Sequence, residues 1–126
     1  MWSDCLDNTK FLYMLYNEVP LLDGVRIANI SISDEGNRVT LVFDMPKYAD
    51  HPPDKWRGCN VAVIEIDFFC VSKLHISTIS NTYRGDIKIE RNIEELLEIS
   101  ITGNITLQAV VEAGFIQHIN AHTKCL

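Results

Sequence analysis

Apolar residues first repeat at helical spacing and then, for most of the chain, at strand spacing. Phe11, Leu12, Leu15 and Tyr16, with Leu6 just upstream, form the stripe of an amphipathic helix that lays one face on a core. The spacing predicts a helix of about three turns within residues 7–16. Asp4 or Asp7 would cap its start and complement its dipole, and Pro20 stops it. From residue 25 the period becomes two. Val25 and Ile27 fall on one face and Ile30 and Ile32 on the other, which a bulge near Ala28 and Asn29, or burial on both faces at different points, would explain. Asp34-Glu-Gly-Asn37 is a turn signal, with Gly36 free to take a positive φ, so the next run pairs back as a hairpin. In that run Val39, Leu41, Phe43 and Met45 face one way and Arg38, Thr40, Val42 and Asp44 the other, a half-buried strand.

Residues 46–58 interrupt the alternation with three prolines and with Tyr48, His51 and Trp56. Residues 61–69 are apolar except for Glu65 and Asp67, as in a strand covered on both faces. The extended run continues past Asp67 to Ile76, with a bend or bulge, and residues 80–85 form a loop. Two short strands follow at 86–90 and 97–102, Gly103-Asn104 turns into a strand over 105–113, and Gly114 turns into a last strand over 115–122. The predicted fold is α+β: one N-terminal helix packed on a mostly antiparallel sheet of about seven or eight strands, curled or in two layers. A chain of 126 residues is one domain by length, spanning 1–126.

Charge narrows the partner. Seventeen acidic against eleven basic side chains give a net charge of −6, which argues against nucleic acid or an anionic membrane surface and favours a basic partner; the excess reads first as a solvated surface that keeps the protein soluble and second as a field that steers a cationic partner. Residues 1–35 hold six carboxylates against Lys10 and Arg26. Cys5, Cys59, Cys70 and Cys125 have no paired spacing and read as reduced thiols. The start of the chain is acidic where a leader would be basic, and no apolar run reaches the ~18 residues of a membrane span, so the expected compartment is the cytoplasm.

Catalytic and metal chemistry find little material. His118 and His122 share a strand face near Cys125, but rings ~13 Å apart along a strand do not share a zinc ion without a bend. Glu65 and Asp67 stand ~6–7 Å apart on one face, within the range of glycosidase pairs; an acidic row available to a cationic partner is the better use. There is no nucleophile elbow, no cysteine beside histidine in a nucleophile context, and no glycine-rich phosphate loop. No enzyme activity, cofactor or metal is therefore expected. The proline loop has two readings. Its prolines lower the entropy lost on ordering and its aromatic groups are suited to anchor a partner, or Tyr48 and Trp56 fold back over the end of the sheet. The partner-binding candidates are Asp44, Tyr48, Asp50, His51, Asp54, Trp56, Glu65 and Asp67.

Trp2, Phe11-Leu12-x-x-Leu15-Tyr16, Val19-Pro20-x-Leu22, the Gly36 hairpin into Val39-x-Leu41-x-Phe43-x-Met45-Pro46, Pro53-x-Lys55-Trp56, Ile66-Asp67-Phe68, Val71-x-x-Leu74-x-Ile76 and Ala113-Gly114-x-Ile116 together resemble the immunity protein 50 family. The resemblance implies a small cytoplasmic protein, encoded beside a bacterial polymorphic toxin, that inhibits the toxin by stoichiometric binding without catalysis. It implies a toxin domain as partner. Many such toxins are nucleases with basic clefts, which an acidic inhibitor suits. The alternative is a β-rich binding module of another kind, such as a homodimer joined through an open sheet edge; monomer and homodimer both remain open.

Overall fold

The computed structural model describes residues 1–124. Eight strands form one antiparallel sheet: β1 (Leu22–Ser33), β2 (Arg38–Asp44), β3 (Val61–Phe69), β4 (Lys73–Thr78), β5 (Arg84–Arg91), β6 (Leu97–Gly103), β7 (Ile105–Val111) and β8 (Ala113–His122), in the spatial order β4-β7-β6-β5-β1-β2-β3-β8. The alternation explains the faces. Leu41, Phe43, Ile64, Ile66, Ile87, Ile99, Leu107 and Ile116 all point to one buried side, as period-2 strands in register require.

The connections force the sheet to curl. β7 and β8 are six positions apart in the strand order, about 29 Å if the sheet were flat at ~4.8 Å per strand. Only Glu112 separates them, and two residue steps reach about 7 Å at most. β3 and β4, also six positions apart, are joined by the short link through Cys70, Val71 and Ser72. The margins therefore converge at this corner, where Glu112 N–H donates to the Phe69 carbonyl at 3.1 Å and Ser72 N–H to the Val110 carbonyl at 2.9 Å. β1 makes the bend. Its first residues pair with β5 and its later ones with β2. Register shifts lie between Leu22 and Val25, where Gly24 takes a φ of +61°, and between Ile27 and Asn29. The second is the bulge expected from the phase change, and it returns Ile30 and Ile32 to the face of Ile27.

The expected α+β architecture, with an N-terminal helix packed on the sheet, is not what forms. The helix α1 spans only Lys10–Leu15, six residues, and no helix among the described residues reaches seven. Leu6 and Asp7 leave the helical stripe because their backbone is used elsewhere. Asp7 N–H donates to the Gly114 carbonyl at 2.9 Å and Ile116 N–H to the Asp7 carbonyl at 3.1 Å, a parallel bridge onto the margin of β8. Asn8 then turns the chain at a φ of +63° and donates its side-chain amide to the Ile116 carbonyl at 2.7 Å. Neither Asp4 nor Asp7 caps α1; Thr9 holds the N-cap position without a side-chain bond. Upstream, Trp2–Cys5 forms a 3-10 turn.

This N-terminal segment fills the concavity. Trp2, Leu6, Leu12 and Leu15 join the inward side chains of the strands in one core, and the Trp2 indole donates to the Pro20 carbonyl at 3.0 Å. Gly114, expected in a turn, lies within β8. A Cβ there would stand 2.6 Å from Leu6 Cδ2 and 3.0 Å from the Phe68 ring, so its missing side chain lets the segment approach the sheet.

Candidate binding surface

Residues 45–60 are fastened to the end of α1. Met45 N–H donates to the Ala62 carbonyl at 2.8 Å and His51 N–H to the Leu15 carbonyl at 3.0 Å. The Tyr16 hydroxyl donates to the Lys47 carbonyl at 2.7 Å, and burial, with Asp50 nearby, pushes this phenol well above its usual pKa. Asp50 accepts from Lys47 Nζ at 2.8 Å and from Asn17 N–H at 3.0 Å. The lysine hydrogen bond first, and the backbone donor second, hold its carboxyl below the usual carboxylate range. His51 Nε2 lies 2.6 Å from Asn17 Oδ1.

The loop aromatics turn inward. Trp56 is only 5% exposed, stacks edge-on to Phe11 with centroids 5.9 Å apart, and has Tyr48 tilted beside it at 6.2 Å. The Tyr48 hydroxyl points to the Trp56 carbonyl at 3.4 Å. These two rings close the sheet end over α1, the second of the two readings of the loop. Asp54 alone of the loop candidates stands exposed with no side-chain hydrogen bond or ion pair among the described residues.

Asp44, Glu65 and Asp67 lie on the other face of the sheet. Asp44, 7% exposed, has Oδ2 3.5 Å from the Arg26 guanidinium and Oδ1 3.7 Å from His122 Nε2; Oδ1 has no hydrogen-bond partner among the described residues. Glu65 is half-buried between Val42 and His118 on the neighbouring strands. Asp67 is also buried and accepts the Thr40 hydroxyl at 2.5 Å, so it offers little charge to a partner. The eight candidates thus separate into a loop set that fastens and covers the core and a carboxylate set beyond the strands.

Sequence spacing did not reveal that Arg26 and His122 both meet Asp44, because that depends on the pairing of β1, β2, β3 and β8. Arg26, Arg84 and Lys124 also line a cleft of about 290 Å³ with Asp23 and Asp44. His118 and His122 sit opposite Glu65 and Val61; Cys125, their suggested companion, lies outside the described residues. Among the described residues no group of three histidine, cysteine or carboxylate side chains is placed to hold a metal ion, and Cys5, Cys59 and Cys70 are free thiols. Among the described residues no helix is long and apolar enough to cross a membrane.

Residues 8–122 match the family model described as Immunity protein 50. The chain belongs to the Immunity protein 50 family. The match takes in every strand and all eight candidate residues, while Trp2 and the 3-10 turn that carries it precede the matched span. No curated protein and no solved structure matches this Immunity protein 50 member.

Proposed function

We propose that this Immunity protein 50 member neutralises a cognate toxin domain by stoichiometric binding, with no catalytic step of its own, in the cytoplasm of the cell that makes it. The family match over residues 8–122 carries the reading. The net charge of −6 supports a basic partner, and a nuclease with a cationic substrate cleft fits by charge complementarity and fast association. Asp44, Tyr48, Asp50, His51, Asp54, Trp56, Glu65 and Asp67 belong to this proposal unequally. Asp54 and Glu65 are accessible contacts, whereas Tyr48 and Trp56 support the loop from beneath. Nucleic acid and membrane are not partners in this reading.

The test is purification with the toxin domain encoded beside it, followed by association kinetics across ionic strength. A one-to-one complex is expected, with an association rate that falls as salt rises. Absence of binding at micromolar concentration would reject the proposal. The margin of β4, which among the described residues pairs with β7 alone, favours a second reading as a homodimeric module joined edge to edge. A dimer mass in light scattering, lost on placing proline in β4, would support it.

A further inference from the structure

With Trp56 and Tyr48 committed to the core, the loop lacks the accessible aromatic anchors of a tight interface, and the exposed apolar groups lie elsewhere. A groove of about 230 Å³ opens between the N-terminal segment and β5. Trp2, Leu22, Ile87 and Ile89 line it and are nearly fully buried. Its lips are Met1 and Leu21, 55% and 65% exposed. Beside it, the Tyr13 hydroxyl donates to Asp4 at 3.2 Å, which places the outward face of α1, with exposed Tyr13 and Met14, against the same segment. Methionines at such a surface adapt to varied apolar shapes.

We propose that this groove is where the toxin docks, taking one apolar side chain from a basic protein surface; the inference rests on the proposed function. Its volume is below that of typical small-molecule sites, roughly 300–1,000 Å³, and is suited to a single side chain. Its rim decides the charge of the partner. Asp23 and Glu90 line the groove with Lys88, and the Met1 ammonium on its lip is paired with Asp4 at 3.4 Å, so Asp23 and Glu90 face Lys88 as the remaining cation of the lining and the rim stays negative. A second copy of this chain would bring the same carboxylates against themselves, whereas lysine or arginine flanking the inserted side chain would pair with them. An apolar anchor ringed by charge that excludes water is the arrangement in which a few residues dominate affinity.

The test uses Leu21→Ser and Asp23→Lys in the full chain, with Ile93→Ser, on the turn between β5 and β6 and 98% exposed, as control. Binding to the purified toxin domain from the adjoining gene is measured by calorimetry, after melting curves establish that each variant folds as the parent does. Leu21→Ser and Asp23→Lys are each expected to weaken binding by about tenfold or more, the threshold of an interface hot spot, with Ile93→Ser unchanged. If the parent fails to bind, the proposed function falls and the inference with it. If the parent binds and both groove variants bind equally well, the groove assignment is overturned while the function stands. A parent dimer that Leu21→Ser converts to monomer would equally overturn it, by placing a second copy in the groove.

Discussion

Replacing Trp56 by alanine separates a loop that contacts a partner from a loop that covers the core. The indole is 5% exposed and makes its ring contacts with Phe11 of α1 and with Tyr48. Burying a tryptophan removes about 150–250 Å² from water, and at ~25 cal/mol per Å² this is worth about 4–6 kcal/mol as an upper figure. Measured truncations of large aromatic residues cost about 3–5 kcal/mol. The lower half of that range applies here because the site lies under a surface loop that can settle into the space. Native domains hold only about 5–15 kcal/mol in total, so a loss of about 3–4 kcal/mol is a large fraction of what keeps the chain folded. The assay is urea unfolding followed by far-UV circular dichroism. Its midpoint should fall while the slope stays near that of the parent. Trp2, the other tryptophan, remains as a fluorescent reporter of the N-terminal segment, and its transition should coincide with the dichroism. A loss below about 1 kcal/mol, typical of a surface substitution, would refute the placement of Trp56 in the core and make it a partner contact again.

Two further substitutions examine the segments that close the fold. Gly114→Ala sets a methyl 2.6 Å from Leu6 Cδ2 and 3.0 Å from the Phe68 ring; a destabilisation of about 1–3 kcal/mol is expected from overpacking, with faster amide exchange at Asp7 and Ile116, and unchanged exchange there would count against the bridge to β8. Asp50→Asn tests the loop clasp through pH. Because the folded carboxyl is held below its usual value by Lys47 and Asn17, its contribution is present above the unfolded pKa and is lost as pH falls through the depressed folded one. The parent should be the more stable at neutral pH, with the difference shrinking in acid below about pH 4; a difference that persists undiminished to pH 2 would show that the ionised carboxylate is not its source.

Much of the sheet was legible in the residues. The alternation of Val39, Leu41, Phe43 and Met45, the turn at Gly36, the phase change at Ala28 and Asn29, and the near-continuous apolar run of β3 each correspond to a feature of the structure. They are local signals, since a period-2 run states which side chains face a core whatever strand lies beside it. The candidate surface was less legible. Tyr48 and Trp56 carry the same residue types whether they face a partner or Phe11, and the choice rests on bonds from the His51 N–H to the Leu15 carbonyl and from the Asn17 N–H to the Asp50 carboxylate that span more than thirty residues. The groove gave a weaker signal in Met1, Tyr13, Met14 and Leu21, apolar residues outside the buried helical stripe, beside an excess of carboxylates.

The sequence by itself determined the β character, the bulge in β1, the hairpin to β2 and the net charge of −6. Only the tertiary structure decided the curl of the sheet, the shortening of α1 to six residues and the side of the loop that faces water. The physical reason is the same in each case: contacts between distant parts of the chain outweigh local preference. A helical stripe at Leu6, Phe11, Leu12 and Leu15 sets a preference worth fractions of a kcal/mol per residue. Capture of the Asp7 backbone and the Asn8 side-chain amide by the margin of β8 satisfies strand-edge polar groups that would be costly to leave unpaired, and this stronger stabilisation stops the helix from reaching back to Leu6.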